Sequence, residues 1–273
     1  MTVLVCTDLD RTVIYSTAAL GLTAANVDAA RLRCVEVYQQ APLSYVTEAA
    51  AAQFVELARE TTLVPATTRT PEQYLRVHLP GRPPRYAITA NGGRLLVDGV
   101  ADGDWSAHVA GALTGGAPLA EVHERLAGAG EFLLRVRTAA DLFAYAVVDR
   151  AAMPATWAGE LGAWCGERGW TVSVQGRKVY CVPDGLRKSV AAREVARRCG
   201  TSTLLAAGDS LLDTDLLLAA DAAVRPAHGE LHDTGFAAPH VAVTRASGVA
   251  AGEEVVRWLR SRAASGSDGI LKV

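Results

Sequence analysis

Asp8 and Asp10 sit in the run Asp8-Leu9-Asp10-Arg11-Thr12, directly behind the apolar stretch Val3-Leu4-Val5-Cys6, so two carboxylates fall where a buried strand runs out into a loop. Successive strand residues point to opposite faces, which puts both acids on one side and Leu9 on the other. Like charges this close repel unless a cation lies between them or one of them holds a proton. The pair therefore suggests a divalent metal and an acid poised to transfer a proton. A strand-end Asx-turn would place the same residues there, so residues further along the chain must decide between the two.

Three further stretches carry chemistry. Thr67, followed by Thr68 and Arg69, comes directly after Leu63-Val64-Pro65-Ala66. A hydroxyl at the carboxyl end of a strand in an open α/β sheet can donate to a phosphate oxygen, although Thr also suits strand ends and helix caps. Lys188 is one of only three lysines, with Lys178 and Lys272, among 27 basic residues. A chain that uses Arg almost everywhere has placed a compact ammonium at the start of a helix, where it can serve as a point charge between a phosphoryl group and a carboxylate. Finally, Leu204-Leu205-Ala206-Ala207 runs into Gly208-Asp209-Ser210-Leu211-Leu212-Asp213. One helical turn brings Asp213 back beside the loop that holds Asp209, and two carboxylates of this kind suit Mg²⁺. Asp213 could equally cap its helix.

The elements that must position these residues alternate between strand and helix. Val3 to Thr7 reads as a central parallel strand, Thr47 to Arg59 as a helix capped by Thr47, Thr62 to Ala66 as the next strand and Tyr86 to Thr89 as a third. Arg33 to Tyr38 reads as an edge strand of a flap within the less patterned segment 16–45. Ala90-Asn91-Gly92-Gly93 marks a turn. Beyond it the texture changes to strands at Phe132 to Thr138, Leu142 to Val148, Thr171 to Val174 and Val179 to Val182, with helices around Ser106 to Ala127 and Ala155 to Gly169. This predicts an inserted α+β domain over 93–183, between core portions 1–92 and 184–273. The β/α rhythm then resumes with a helix at Leu186 to Cys199, a strand at Thr203 to Ala207, a helix at Asp213 to Ala220, strands at Ala222 to Val224 and Val241 to Thr244, and a closing helix at Glu253 to Ala264. Ser265 to Val273 reads as a loose tail. The expected fold is α/β, a Rossmann-like doubly wound parallel sheet core with an inserted α+β cap domain.

A chain of 273 residues, half of them hydrophobic, can build sizeable cores. With 27 basic against 29 acidic residues there is no overall field to attract nucleic acid or an anionic lipid surface. Five scattered cysteines form no metal-binding pattern and read as reduced thiols of a cytoplasmic protein. No stretch approaches 18 uninterrupted apolar residues and no leader precedes the first strand, so neither export nor a membrane span is expected.

Taken together, DxDxT, Thr67, Lys188 and GDSxxD resemble the four motifs of the haloacid dehalogenase superfamily, and an insertion between the second and third resembles its members with a type-2 cap, such as sugar-phosphate and sucrose-phosphate phosphatases. The resemblance implies that Asp8 attacks phosphorus to form an aspartyl-phosphate while Asp10 protonates the leaving oxygen and later activates water. It implies Mg²⁺ held by the Asp8 carboxylate, the Asp10 carbonyl and Asp209, with Asp213 ordering a metal-bound water or Lys188. Thr67 and Lys188 would bind phosphoryl oxygens, and Thr12, Thr68, Arg69, Asn91 and Gly92 would contact the substrate, a small phosphate ester. Two departures lie near the entrance: Arg11 stands where many relatives have Gly, and the segment from Ser16 to Leu43 is longer than usual. Cap cations Arg135, Arg137, Arg177 and Lys178 are candidates to meet a second anionic group, and His228 for the rim.

Two other readings are open. A phosphomutase of the same superfamily would share the aspartyl-phosphate and differ in where the phosphoryl group goes next. Gly208-Asp209-Ser210-Leu211 also spells the opening of a GDSL esterase signature with Ser210 as nucleophile, but no Asp-x-x-His comes after it.

Overall fold

The computed structural model describes residues 3–22 and 31–268. The chain runs through β1 (Leu4–Thr7), β2 (Tyr15–Ser16), β3 (Leu32–Tyr38), β4 (Ala41–Thr47), α1 (Glu48–Glu60), β5 (Thr62–Pro65) and the single turn α2 (Pro71–Tyr74). Strands β6 (Tyr86–Thr89), β7 (Arg94–Val97) and β8 (Val100–Ala101) lead into α3 (Gly103–Ala112), α4 (Leu119–Ala127), β9 (Leu133–Ala139), β10 (Phe143–Val148), α5 (Trp157–Gly166), β11 (Trp170–Gln175) and β12 (Lys178–Pro183). The last part holds α6 (Lys188–Cys199), β13 (Leu204–Ala207), α7 (Thr214–Ala219), β14 (Ala222–Arg225), α8 (Glu230–Asp233), β15 (Val241–Val243) and α9 (Gly248–Asp268).

Five of these strands form a parallel sheet in the order β15-β14-β13-β1-β5. All four residues of β1 are buried, as an apolar run flanked by strands and covered on both faces requires. Alternate residues serve opposite faces. Leu4 and Cys6 pack in the cluster that holds Ala191 and Val195 of α6 and Leu216 of α7. Val5 packs with Phe54 and Leu57 of α1 and with Val255 and Leu259 of α9. This is the doubly wound arrangement that the sequence predicts. At the carboxyl ends, Thr7 is level with Pro65 on one side and Ala207 on the other, so the three loops that carry acids and hydroxyls leave the sheet in one row.

The cap is built on a four-stranded antiparallel sheet, β11-β12-β10-β9. Ala144, Ala146, Val148, Val179 and Cys181 are fully buried on its helix-covered face. The predicted helix from Ser106 to Ala127 is two helices. Gly116 at φ +97° and Pro118 at the N-cap of α4 break it, since Pro has no N–H to continue the ladder. β6 does not join the parallel ladder beyond a single bridge between Ala66 and Ile88, and instead pairs antiparallel with β7.

The segment after the first motif holds more structure than its sequence predicts. β3 pairs with β4, and β2 pairs with β4, giving a three-stranded flap. Gln39 and Gln40 turn the hairpin at φ +50° and +64°, a conformation usually given to Gly or Asn, so the turn carries no sequence signal. Residues 23–30 of the segment lie outside the described residues. At the other end α9 continues to Asp268, past the Ser265 where the predicted tail begins, and 269–273 lie outside the described residues. Among the described residues no helix is long and apolar enough to cross a membrane.

Candidate active site

Lys188 opens α6 and is completely buried, with Nζ 2.7 Å from Asp8 Oδ1 and 2.5 Å from Asp213 Oδ1. The N-terminus of α6 has no cap from its own Arg187; instead Asp215 Oδ2 accepts from the Ser189 amide at 2.8 Å, fixing the first turn from α7. Burial works against the ammonium, but the two carboxylates outweigh it and hold Lys188 protonated.

Asp213 is committed on both oxygens. Oδ1 takes Lys188, while Oδ2 accepts from the amides of Asp209 and Ser210 at 3.1 and 3.0 Å and from Ser210 Oγ at 2.8 Å. That last bond also removes the esterase reading: Ser210 is buried and donates to an Asp, as a turn residue does, and among the described residues no histidine is bonded to it.

Asp8, Asp209 and Asp213 each offer an oxygen within 4.8 Å of the others, and all three are buried. Asp8 is raised to about 7, by burial first, with Lys188 pulling downward and Asp213 and Asp10 upward. Asp209 is raised well above its ordinary value by burial first and then by Asp8 and Asp213, with Arg11 and Lys188 opposing. Buried acids that are hard to ionise for want of positive charge fit a divalent cation. Among the described residues Asp8 Oδ2, met only by Thr12 at 3.3 Å, and the Asp209 carboxylate, met only by Arg11 at 3.3 Å, are the least engaged, since Asp213 is taken up with Lys188 and the loop amides.

The side chain of Asp10 belongs to a different network. It is gripped by Arg69, Nε to Oδ2 at 2.7 Å and Nη2 to Oδ1 at 2.8 Å. The charge of Asp10 is therefore met by a guanidinium rather than by a cation shared with Asp8, as the strand-end pair alone suggests. Burial raises its pKa, but Arg69 outweighs burial and leaves it below the ordinary value. Arg69 Nη1 in turn lies 2.9 Å from Glu36 Oε1, and Glu36 Oε2 accepts from Ser44 Oγ at 2.6 Å. Glu36 on β3 and Ser44 on β4 are buried flap residues that the sequence reading does not single out. No local motif marks them, because a single Glu in an alternating strand looks like a solvated one.

The remaining predicted residues surround this centre. Thr12 Oγ1 donates to Asp8 Oδ2 at 3.3 Å, and Thr67 and Thr68 are buried behind β5. Thr67 Oγ1 accepts from the Arg69 amide at 3.2 Å. The Asn91 amide is given to Thr67 O and its Nδ2 to Leu186 O, while Oδ1, buried, has no partner among the described residues. Gly92, at φ +93°, lies so close to the start of α6 that a Cβ would stand 2.5 Å from Arg187 O. Both residues thus brace the helix that bears Lys188.

Arg11 adopts φ +63°, where Gly would be unstrained, and its Nε lies 3.3 Å from Asp209 Oδ2. His228 holds that loop. Its Nδ1 accepts from the Gly248 amide at 3.1 Å, so Nε2 carries the proton that is donated to Arg11 O at 2.7 Å. Burial keeps this ring's pKa low, and His228 is a loop brace. Glu230, also missed in the sequence, joins cap to core: Oε2 accepts from Ser173 Oγ at 2.6 Å and from the Leu211 amide at 2.9 Å, and Oε1 from the Val174 amide at 2.6 Å.

No family model and no curated protein matches the sequence. Solved structures do. A sucrose-phosphatase from Synechocystis, solved with sucrose and phosphate, is 16% identical with a TM-score of 0.64, covering 95% of this chain and 98% of that one. A sugar phosphatase of haloacid dehalogenase subclass IIB is 12% identical with a TM-score of 0.55, covering 99% and 100%. A trehalose-6-phosphate phosphatase related protein is 15% identical with a TM-score of 0.54, covering 96% and 99%. The chain therefore shares the fold of these three phosphatase-related proteins, one of them named as a haloacid dehalogenase superfamily member, over at least 95% of its length.

Proposed function

We propose that this chain is a Mg²⁺-dependent phosphatase of a small phosphorylated metabolite, a sugar phosphate or similar phosphomonoester, working through an aspartyl-phosphate. The observation that carries the reading is Lys188: one buried ammonium touches Asp8, 180 residues before it, and Asp213, 25 residues after it, beside the acid cluster on a sheet edge suited to ligands. The domain division at about 92 and 184 belongs to the same reading.

Asp8 attacks phosphorus, the Oδ–P bond forming as the bond to the leaving oxygen breaks; covalent catalysis divides a difficult displacement into two easier ones. Mg²⁺ would be held by Asp8, the Asp10 carbonyl and Asp209, and when bound it offsets the repulsion between anionic nucleophile and phosphate. Thr67 and Lys188 hold the other phosphoryl oxygens, where each preorganised donor contributes about 2.7 to 4 kcal/mol in comparable sites. Lys188 also keeps Asp8 aimed, and Asp213 keeps Lys188 aimed.

Asp10, once protonated, gives that proton to the leaving oxygen and then takes one from the water that attacks phosphorus as the Asp8 Oδ–P bond breaks. Paired with Arg69 it is in the ionised form, the one that accepts a proton. For the first step Asp10 must first take up a proton from solvent, which requires Arg69 to loosen its hold on at least one oxygen.

The test is hydrolysis of p-nitrophenyl phosphate. EDTA-sensitive release of phosphate, abolished in a folded Asp8→Asn variant, is expected. Full activity in that variant removes Asp8 as nucleophile, and isomerised sugar phosphate without free phosphate replaces the hydrolase with a mutase.

A further inference from the structure

The cap sheet has one face packed on its helices and one face turned to the catalytic carboxylates, and strand register decides which residues each face carries. Tyr180 stands opposite Tyr145 and Ser173, and Tyr145 stands opposite Arg137. One step along, Lys178 stands opposite Gln175 and Val147, with Arg135 beyond Val147. Residues two apart share a face, so Arg135, Arg137, Tyr145, Gln175, Lys178 and Tyr180 lie on the same side as Ser173. That side looks at the core, because Ser173 Oγ is bonded to Glu230.

This face is cationic. None of β9, β10, β11 and β12 contains an Asp or a Glu. Lys178 lies 5.8 and 5.9 Å above the rings of Tyr145 and Tyr180 and has no carboxylate in ion-pair range among the described residues. The nearby acid Asp10 is already held on both oxygens by Arg69. From the core side Arg11 reaches the turn of the same hairpin, where a Cβ on Gly176 would stand 3.9 Å from its Nη1. Both cations lie beside the acid-bearing loops: Lys178 acts on Asp10, and Arg11 Nε lies 3.3 Å from Asp209 Oδ2. Tyr180 first, and then Asp10, push the Lys178 pKa above its ordinary value.

We propose that the leaving group of the substrate carries a second negative charge, a carboxylate or another phosphate, received by Lys178 with Arg11 facing it across the cleft. An ammonium with no carboxylate in ion-pair range attracts an anion more strongly than it does a neutral hydroxyl. The inference rests on the phosphatase reading and narrows its substrate class.

The test compares matched esters in the presence of Mg²⁺: glucose 6-phosphate, 6-phosphogluconate and glucose 1,6-bisphosphate, with p-nitrophenyl phosphate as a general probe. At least one doubly anionic ester should exceed glucose 6-phosphate in kcat/KM by tenfold or more, and the better of the two identifies the anion as carboxylate or phosphate. Lys178→Met should reduce that preference at least tenfold, chiefly through KM, and Lys178→Arg should retain most of it. Glucose 6-phosphate equal to or better than both, with the wild-type protein, overturns the inference and leaves the phosphatase standing, whatever the fate of the variants. A preference unchanged in folded Lys178→Met overturns the assignment to Lys178. No hydrolysis of any of the four esters overturns the underlying phosphatase reading instead.

Discussion

Arg69 takes both carboxylate oxygens of Asp10, at 2.7 and 2.8 Å, while its remaining nitrogen reaches Glu36 in the flap. A two-pronged pair of this kind fixes the plane and the charge of the carboxylate together. The flap hairpin thus has a direct line to the proposed acid and base.

That pair sets an acid limit on stability. The folded pKa of Asp10 lies below its ordinary value of 3.8, so its contribution is present above that value and is lost as pH falls toward the folded one. Asp10→Asn should be less stable than wild type at pH 7, and the gap should close below about pH 4. Urea midpoints at several pH values measure this, and a gap independent of pH counts against it.

Asp8 works in the opposite sense. Its folded pKa of about 7 exceeds its ordinary 3.8, so without metal its contribution is complete at low pH and disappears as pH rises through about 7. A cation needs the ionised form and reverses the trend. Mg²⁺ should therefore raise the melting temperature more at pH 8 than at pH 5.5. The full effect is about 2.7 kcal/mol at a hundredfold excess over Kd. Equal increments at the two pH values would speak against Asp8 as a ligand.

Lys188→Met leaves Asp8 and Asp213 buried with no counter-charge between them. Breaking a buried pair by removing one partner costs about 3 to 5 kcal/mol, readable as a drop in the urea midpoint, and turnover should fall by about a hundredfold or more. Lys188→Arg should not restore activity, because the position is completely enclosed and a planar guanidinium needs another geometry. Wild-type turnover in either variant would end its role at the phosphoryl group.

Gly92→Ala tests the brace beneath α6. Its new Cβ meets Arg187 O at 2.5 Å in a backbone conformation that side chains rarely adopt, so either the helix start or the turn must shift. Stability should fall by about 1 to 3 kcal/mol, and kcat should fall with it, since Lys188 comes directly after Arg187. Unfolding and steady-state kinetics on the same preparation would show both; kinetics identical to wild type would mean that the turn, not the helix, gives way.

The core of this fold was legible because its strands are apolar runs with chemical punctuation at their ends: Asp8, Thr67 and Asp209 each come just after a buried stretch. Lys188 stood out through the scarcity of lysine. The cap strands were legible as elements to within a few residues, as was α1 with its Thr47 cap, whose Oγ1 accepts from the Ala50 amide. What stayed hidden depends on tertiary contact. Glu36 and Glu230 acquire meaning only from partners such as Arg69 and Ser173, far from them along the chain, and the Gln39-Gln40 turn is held by the sheet rather than by turn-forming residues. The assignment of Asp10's charge to Arg69 likewise needed the distance between them.

Glu230 links two parts of the molecule that would otherwise answer separately. A single carboxylate receives the cap strand through Ser173 and Val174 and the loop after Asp209 through the Leu211 amide, while Gly229 before it leaves no room for a side chain against Asp209. Without the cap strand that carboxylate would lose two of its three donors and keep only the Leu211 amide. The placement of the cap strand and the set of the loop after Asp209 are in this way tied through one side chain.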